Sequence, residues 1–138
     1  MGDVREESDH MKGALHERSS LLSLWRIDPY WNSQLLVEYS KDIFTCMILD
    51  GQVHEEGYSI KDGVILYHGR IFFPRASKLK EKLLQVAHMD FLFSHTHSMR
   101  AYHTIMEGYC WMGFEEDIYQ HMRRCMDQME MGERHNSL

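Results

Sequence analysis

The hydrophobic pattern of the first third of the chain predicts two short helices. Large apolar residues recur on neighbouring turns over residues 29–39, and Asp28 precedes Pro29 as a capping residue precedes the first turn of a helix. Asp42 is placed to cap a second helix, which should end at the Asp-Gly pair of residues 50–51. Three side chains are expected to face inward from this second helix: Ile43, Met47 and Ile48.

A strand pattern replaces the helical one between residues 59 and 74. The runs at positions 59–60, 64–67 and 70–73 are rich in β-branched and aromatic residues, and the dipeptides Asp62-Gly63 and His68-Gly69 separate them. Pro74 ends the third run, because proline cannot donate a hydrogen bond to a sheet. The spacing predicts a small antiparallel meander.

Three helical patterns follow the meander. The first places Leu79 and Leu83 on one apolar stripe, with Ser77 as its cap and His88 on its last turn. A loop over residues 89–97 should then lead to a helix that Ser98 caps and that runs to about Met106. The last pattern is a longer amphipathic helix whose apolar positions are Phe114, Ile118, Met122, Cys125 and Met129. Helices packed with a small sheet indicate an α+β fold.

Composition divides the chain into four parts and indicates the cellular compartment of the protein. Residues 1–20 should form a mobile acidic arm, residues 21–56 a helical extension, residues 57–130 the main domain and residues 131–138 a tail. The three cysteines are an odd number, and neither a signal segment nor an apolar run of membrane-spanning length stands in the sequence. We therefore expect an intracellular protein, cytoplasmic or nuclear, with reduced thiols and no membrane association.

Histidine and cysteine spacing in the second half of the chain suits a structural zinc site. His88 ends a predicted helix, His95 lies in the loop that follows, and Cys125 lies on a later helix, so packing of the helices can bring the three together. Zinc prefers four nitrogen and sulfur ligands in a tetrahedron. The expected position of the fourth ligand, three residues after Cys125, holds Gln128 instead of a second cysteine.

Several motifs between residues 27 and 128 follow one another in a family-specific order. "DGVILYHGRIFFP" precedes a helix ending at His88, "SHTH" follows it, and "YCWMG" precedes the closing "RRCMDQ". Together they resemble the His-His-Cys-Cys zinc-binding N-terminal domain of gypsy-type LTR-retrotransposon integrases. Upstream, "DPYWNSQLLVEYSKD" is similar to the helical approach of that family. The resemblance implies a domain that contributes to multimerisation and to DNA contacts.

The resemblance also assigns the zinc ligands. His88 and His95 match the two histidines and Cys125 the first cysteine, whereas Gln128 occupies the place of the second. Three alternatives stay open: a fourth ligand from elsewhere, with His121 one turn before Cys125 as the best placed and His97, Cys110 or Gln128 itself as others; three ligands and a water; or no physiological zinc. An amide oxygen is a poor zinc ligand beside a thiolate, which favours the last alternative.

Net charge and the missing ligand together favour a protein-binding function. The integrase catalytic core would need well over a hundred further residues, so no catalysis is expected, and a net charge of −6 weakens any phosphate contact. We expect a domesticated, non-catalytic module that self-associates or binds a host protein, with Trp25, Trp31, Phe91 and Phe93 as its interaction surface. The alternative is a zinc-dependent nucleic-acid-binding module that makes weak contacts through Arg70, Arg75, Lys78, Lys82 and Arg100.

Overall fold

A computed structural model describes the backbone of residues 22–136 and the side chains of residues 22–129. The acidic arm expected over residues 1–20 lies outside this part of the chain. Within it, helices and a four-stranded sheet alternate as an α+β fold, which confirms the predicted class. The elements are α1 Leu24–Ile27, α2 Trp31–Ser40, α3 Ile43–Leu49, β1 Tyr58–Lys61, β2 Val64–Tyr67, β3 Arg70–Phe72, α4 Lys78–Phe93, α5 Arg100–Gly108, β4 Tyr109–Cys110 and α6 Phe114–Asn136.

The predicted meander is present and gains one strand. β1, β2 and β3 pair antiparallel in sequence order, and the turn between β1 and β2 places Asp62 and Gly63 at φ angles of 52° and 81°. Two successive positive φ angles are the backbone requirement of the tightest hairpin turn, which explains the Asp-Gly pair. The fourth strand, β4, pairs parallel to β3 with Ile71 opposite Tyr109. Its two residues are too short a run for a sequence pattern to show.

The two helices predicted in the first third of the chain form, with two corrections. Asp28 does not cap α2 directly; its carboxylate accepts a hydrogen bond from the Tyr30 amide, and α2 begins at Trp31. Asp42 caps α3 as predicted, since its carboxylate accepts from the Thr45 amide at 2.9 Å. The inward position predicted for Ile43 is wrong, because this first residue of α3 is 81% exposed, whereas Ile48 is buried.

Helix α4 begins as predicted but ends later. The Ser77 hydroxyl accepts a hydrogen bond from the Lys80 amide and so caps the first turn. The loop expected from residue 89 is helical to Phe93, because Phe91 continues the inward row of Leu84 and Ala87 and is 1% exposed. The helical turn that carries Phe91 therefore belongs to the core.

Buried tyrosine hydroxyls connect the elements around the sheet. The Tyr39 hydroxyl, on α2, donates to the Phe72 carbonyl at 2.7 Å and accepts from the Ile65 amide at 3.1 Å, which joins β2 to β3. The Tyr109 hydroxyl on β4 donates to the Leu22 carbonyl at 2.7 Å. Burial raises the pKa of both phenols well above the usual value, so both remain protonated donors.

The predicted stripe of the last helix faces the bundle. Ile118 and Cys125 are buried, and Phe114, Met122 and Met129 are half-buried against the core. The helix continues to Asn136, beyond residue 130, where the tail was expected to begin. Across residues 22–136, each helix is too short or too polar to cross a bilayer.

Candidate functional site

The contact between α4, α5 and α6 gathers the candidate chemistry of the chain around one thiol. The Cys125 sulfur, on α6, is fully buried. It lies 3.1 Å from His88 Nδ1 on α4 and 3.1 Å from the Tyr102 hydroxyl on α5, both at hydrogen-bonding distance. We call Cys125, His88 and Tyr102 the Cys125 cluster.

Local helical spacing explains how the cluster forms. Cys125 is seven residues after Ile118 on the inward stripe of α6. Tyr102 is on the buried side of α5 with Ala101 and Ile105, and His88 follows the buried Ala87 on α4. Three inward-facing rows therefore meet at one point, and each contributes one polar group. Each group of the cluster has a hydrogen-bond partner within it, which offsets the cost of burying it.

His121 borders the cluster without contacting the thiol directly. It is half-buried one turn before Cys125, and its ring centroid lies 6.4 Å from that of Tyr102. Burial lowers the pKa of His121, and the nearby charges of Arg124 and His88 act in the same direction. The pKa of the Tyr102 phenol is raised, first by burial and second by its hydrogen bond to Cys125. Both shifts favour neutral groups at this contact.

Two of the predicted zinc ligands lie away from the cluster. His95 is exposed in the loop after α4, and Gln128 is exposed on α6 although it is only three residues from Cys125. The extension of α4 to Phe93 explains the position of His95, since the loop begins five residues later than predicted. His97 is exposed, and its Nδ1 lies 2.9 Å from the Phe91 carbonyl.

The arrangement of these donors does not fit a tetrahedral zinc ion. Two ligands of such an ion stand about 3.5 Å apart, given a Zn–S bond of about 2.3 Å and a Zn–N bond of about 2.0 Å. His88 and Cys125 are near that separation, but Tyr102 supplies a neutral phenol in place of a third nitrogen or sulfur. Among the residues that the structure describes, no group of three His, Cys, Asp or Glu side chains is placed to hold a metal. Zinc binding stays a prediction from sequence.

Basic residues predicted to contact nucleic acid are partly engaged within the fold. Arg70 donates to the Met106 carbonyl and lies with its guanidinium 4.8 Å from the ring centroid of Phe114. Lys82 forms a 3.1 Å ion pair with Asp28. The remaining three are exposed: Arg75 and Lys78 around the beginning of α4, and Arg100 at the start of α5.

Apolar residues predicted to form an interaction surface divide between core and solvent. Phe91 is buried and is therefore excluded from any surface, while Trp31 is half-buried against the core. Phe93 is 76% exposed and Trp25 is 50% exposed. Met89, which the sequence reasoning missed, is 45% exposed one turn before Phe93 on α4. The four-residue spacing of Met89 and Phe93 was a signal that would have found it.

Tyr102 is the other residue that sequence reasoning missed. It lies inside a helix that was predicted, but a tyrosine on an apolar stripe gives no indication that its hydroxyl meets a thiol 23 residues later.

Comparison with known proteins adds no assignment, because no family model, no curated protein and no solved structure matches the chain.

Proposed function

We propose that this protein is a non-catalytic protein–protein interaction module with the ancestry of a retrotransposon integrase zinc-binding domain. The observation that carries the proposal is the exposure of Met89 and Phe93, one turn apart on α4, together with Trp25 on α1. Helix α1 packs against α4, so these side chains belong to neighbouring elements. Large apolar groups held in solvent on rigid helices are typical of surfaces that bind another protein.

The Cys125 cluster supports a packing role for the former metal position. A thiol that is fully buried and hydrogen-bonded to two side chains is out of reach of a substrate, so it is unsuited to act as a nucleophile. The same contacts connect α4, α5 and α6. In small domains a structural zinc ion connects secondary-structure elements in the same way. In the proposed function, hydrogen bonds hold this bundle together.

Charge supports a protein partner over a nucleic acid. DNA affinity grows with the number of phosphates that lysine and arginine neutralise, and the chain has a net charge of −6. Arg70 and Lys82, two of the five candidate contacts, are already occupied within the fold. For the alternative, a zinc-dependent nucleic-acid-binding module, the test is fluorescence anisotropy with duplex DNA at low and moderate salt. Tight binding that falls steeply with salt would favour that alternative.

We place the module inside the cell, in the cytoplasm or the nucleus. The support is the state of the cysteines: Cys46, Cys110 and Cys125 are all free thiols. Burial raises the pKa of the Cys110 thiol to about 11, which keeps it protonated and unreactive at neutral pH. Free thiols persist in a reducing compartment.

The proposed surface is tested by a matched pair of double variants. Replacing Trp25 and Phe93 with serine removes the exposed apolar groups of α1 and α4, and replacing Tyr30 and Ile43 removes groups of comparable exposure from another part of the molecule. We expect proteins that copurify with the native chain and with the Tyr30→Ser, Ile43→Ser control to be lost from the Trp25→Ser, Phe93→Ser variant. Equal recovery with both variants would refute this surface.

A further inference from the structure

Helix α6 has a second apolar row outside the stripe that faces the bundle. Tyr119 and Met126, two turns apart, are 64% and 48% exposed. Met122 and Met129 lie between this row and the core and are half-buried. Residues that recur at seven-residue spacing, with a second pair offset by three, form the seam of a helix that packs against another helix.

The charges beside this row alternate in sign at the same spacing. Glu116 and Arg123 are both exposed, and they stand seven residues apart on the same side of the row. The Arg123 guanidinium lies 5.8 Å from the ring centroid of Tyr119, so it is held over the apolar row. Within the described side chains, Glu116 and Arg123 have no ion-pair partner. The row is therefore flanked by one acidic and one basic side chain, each able to form an ion pair with another chain.

We propose that this row is the contact for a second copy of the chain, whose α6 lies antiparallel to the first. Reversal about a twofold axis that crosses near Gln120 places Tyr119 beside Met122 of the second copy. The same reversal brings Glu116 opposite Arg123 of the second copy, and symmetry forms this ion pair twice. The contact rests on the proposed interaction function and adds to it a second surface, on α6, with a named partner.

Charge complementarity selects both the partner and the orientation. A parallel pair would place Glu116 beside Glu116 and Arg123 beside Arg123, which repels at both levels. In the antiparallel pair every such contact joins opposite charges, and the opposed helix dipoles also attract. Helix α6 has the length for this contact, since its 23 residues extend about 34 Å, against about 24 Å for the 16 residues of α4.

Met112 extends the apolar contact at each end. It is 51% exposed and immediately precedes the turn that opens α6. An axis near Gln120 brings it towards the part of α6 that carries Met126 in the second copy. Methionine side chains are flexible and adapt to one another at such contacts, which suits a surface formed between identical chains.

Sedimentation equilibrium of the full chain over a range of concentrations tests the association. We expect a reversible monomer–dimer equilibrium, which Met126→Glu abolishes by placing a charge on the row. The matched control is Ile43→Glu, because Ile43 is an exposed apolar residue at the start of α3 and away from the row. The control should dimerise like the native chain, and circular dichroism should show that both variants remain folded.

Charge reversal tests the orientation and the residue pair. Arg123→Glu alone and Glu116→Arg alone each create two like-charge contacts in the antiparallel dimer, and each should weaken it by about tenfold. Mixing these two variants should restore association as a heterodimer, because the acidic positions of one then face the basic positions of the other. The double variant Glu116→Arg, Arg123→Glu should also recover.

The outcomes separate this contact from the proposed interaction function. A chain that stays monomeric at millimolar concentration overturns the α6 contact and leaves the surface of Trp25 and Phe93 intact. A dimer that survives Met126→Glu but is lost on Trp25→Ser with Phe93→Ser also overturns it, since that surface would then hold the second copy. Failure of the mixed charge variants to associate overturns the antiparallel register.

Discussion

Glu38 of α2 caps helix α4 at Ser77, thirty-nine residues further along the chain. Its carboxylate accepts hydrogen bonds from the Ser77 hydroxyl and from the Lys78 amide, the latter at 3.0 Å. The negative charge also lies at the amino-terminal end of α4, where the helix dipole is positive. One side chain of the N-terminal extension thus stabilises the start of the helix that carries His88.

Removal of this cap should destabilise the fold. Replacing Glu38 with alanine leaves the buried Ser77 hydroxyl and the Lys78 amide without their acceptor, so we expect a loss of about 1–2 kcal/mol of unfolding free energy. Urea denaturation followed by circular dichroism measures it. Glu56→Ala is the control, because Glu56 is exposed, and its variant should unfold at the native midpoint. An equal effect of the two variants would contradict the capping role.

The buried Tyr39 hydroxyl should contribute more to the free energy of unfolding than an exposed tyrosine hydroxyl does. In Tyr39→Phe the Ile65 amide loses its acceptor and the Phe72 carbonyl its donor, both in the core, so the variant should lose about 1–3 kcal/mol of stability. Tyr30→Phe removes the same atom from a side chain that is 77% exposed and should stay within about 0.5 kcal/mol of the native chain. Chemical denaturation of the two variants gives the comparison.

Zinc should not be required for folding. Because hydrogen bonds within the Cys125 cluster already connect three helices, we expect the purified chain to contain less than one zinc per molecule and to keep its melting temperature in chelator. Elemental analysis and differential scanning calorimetry measure these quantities. Full occupancy, with unfolding when the metal is removed, would show that the cluster is a working zinc site.

Position 128 offers a complementary test of zinc binding. Gln128→Cys places a thiol where the sequence resemblance expects a second cysteine, but the side chain at this position is exposed. We expect zinc affinity to rise only if the last helix rotates or unwinds locally to bring the new thiol inward. Titration with a competing zinc indicator, with Gln120→Cys as an exposed control on the same helix, would detect a specific gain. Equal affinities of the two variants would show that the ligand geometry is lost.

Mild acid should destabilise the fold through His121. The pKa of this imidazole is lowered from its ordinary value of 6.5, first by burial and then by Arg124, with His88 and Lys80 in the same direction and Asp117 opposing. The unfolded chain therefore binds a proton there more readily than the folded one, and stability falls as the pH drops from about 6.5 towards the lowered pKa. Urea midpoints between pH 7.5 and 5 should decline less in His121→Gln than in the native chain. An identical decline in both would exclude this contribution.

Short-range signals account for the parts of the fold that could be predicted. The Asp62-Gly63 turn, the Asp42 cap and the Ser77 cap each depend on a residue and its immediate neighbours, and each is present. The pairing of β4 with β3 and the tertiary cap of Glu38 join distant segments, so no local pattern contains them. The continuation of α4 to Phe93 was missed for the same reason, since only the assembled core shows why Phe91 is buried.

The candidate site could likewise be predicted only in part from the sequence. His88 and Cys125 were selected by ligand type and spacing, and the structure brings them together. His95 was not brought to them, because its position depends on where α4 ends. Tyr102 carries no spacing signal of its own, and its hydroxyl has a role only once three helices have packed.

The hydrogen bond from Tyr109 to Leu22 joins residues 87 positions apart. Closing so long a loop has a large entropic cost, and the contact gains little until β4 is already paired with β3. We therefore expect α1 to dock late in folding, after the sheet has assembled. In native-state hydrogen exchange, the amides of α1 should then exchange faster than those of the paired strands, because α1 can detach while the sheet stays intact.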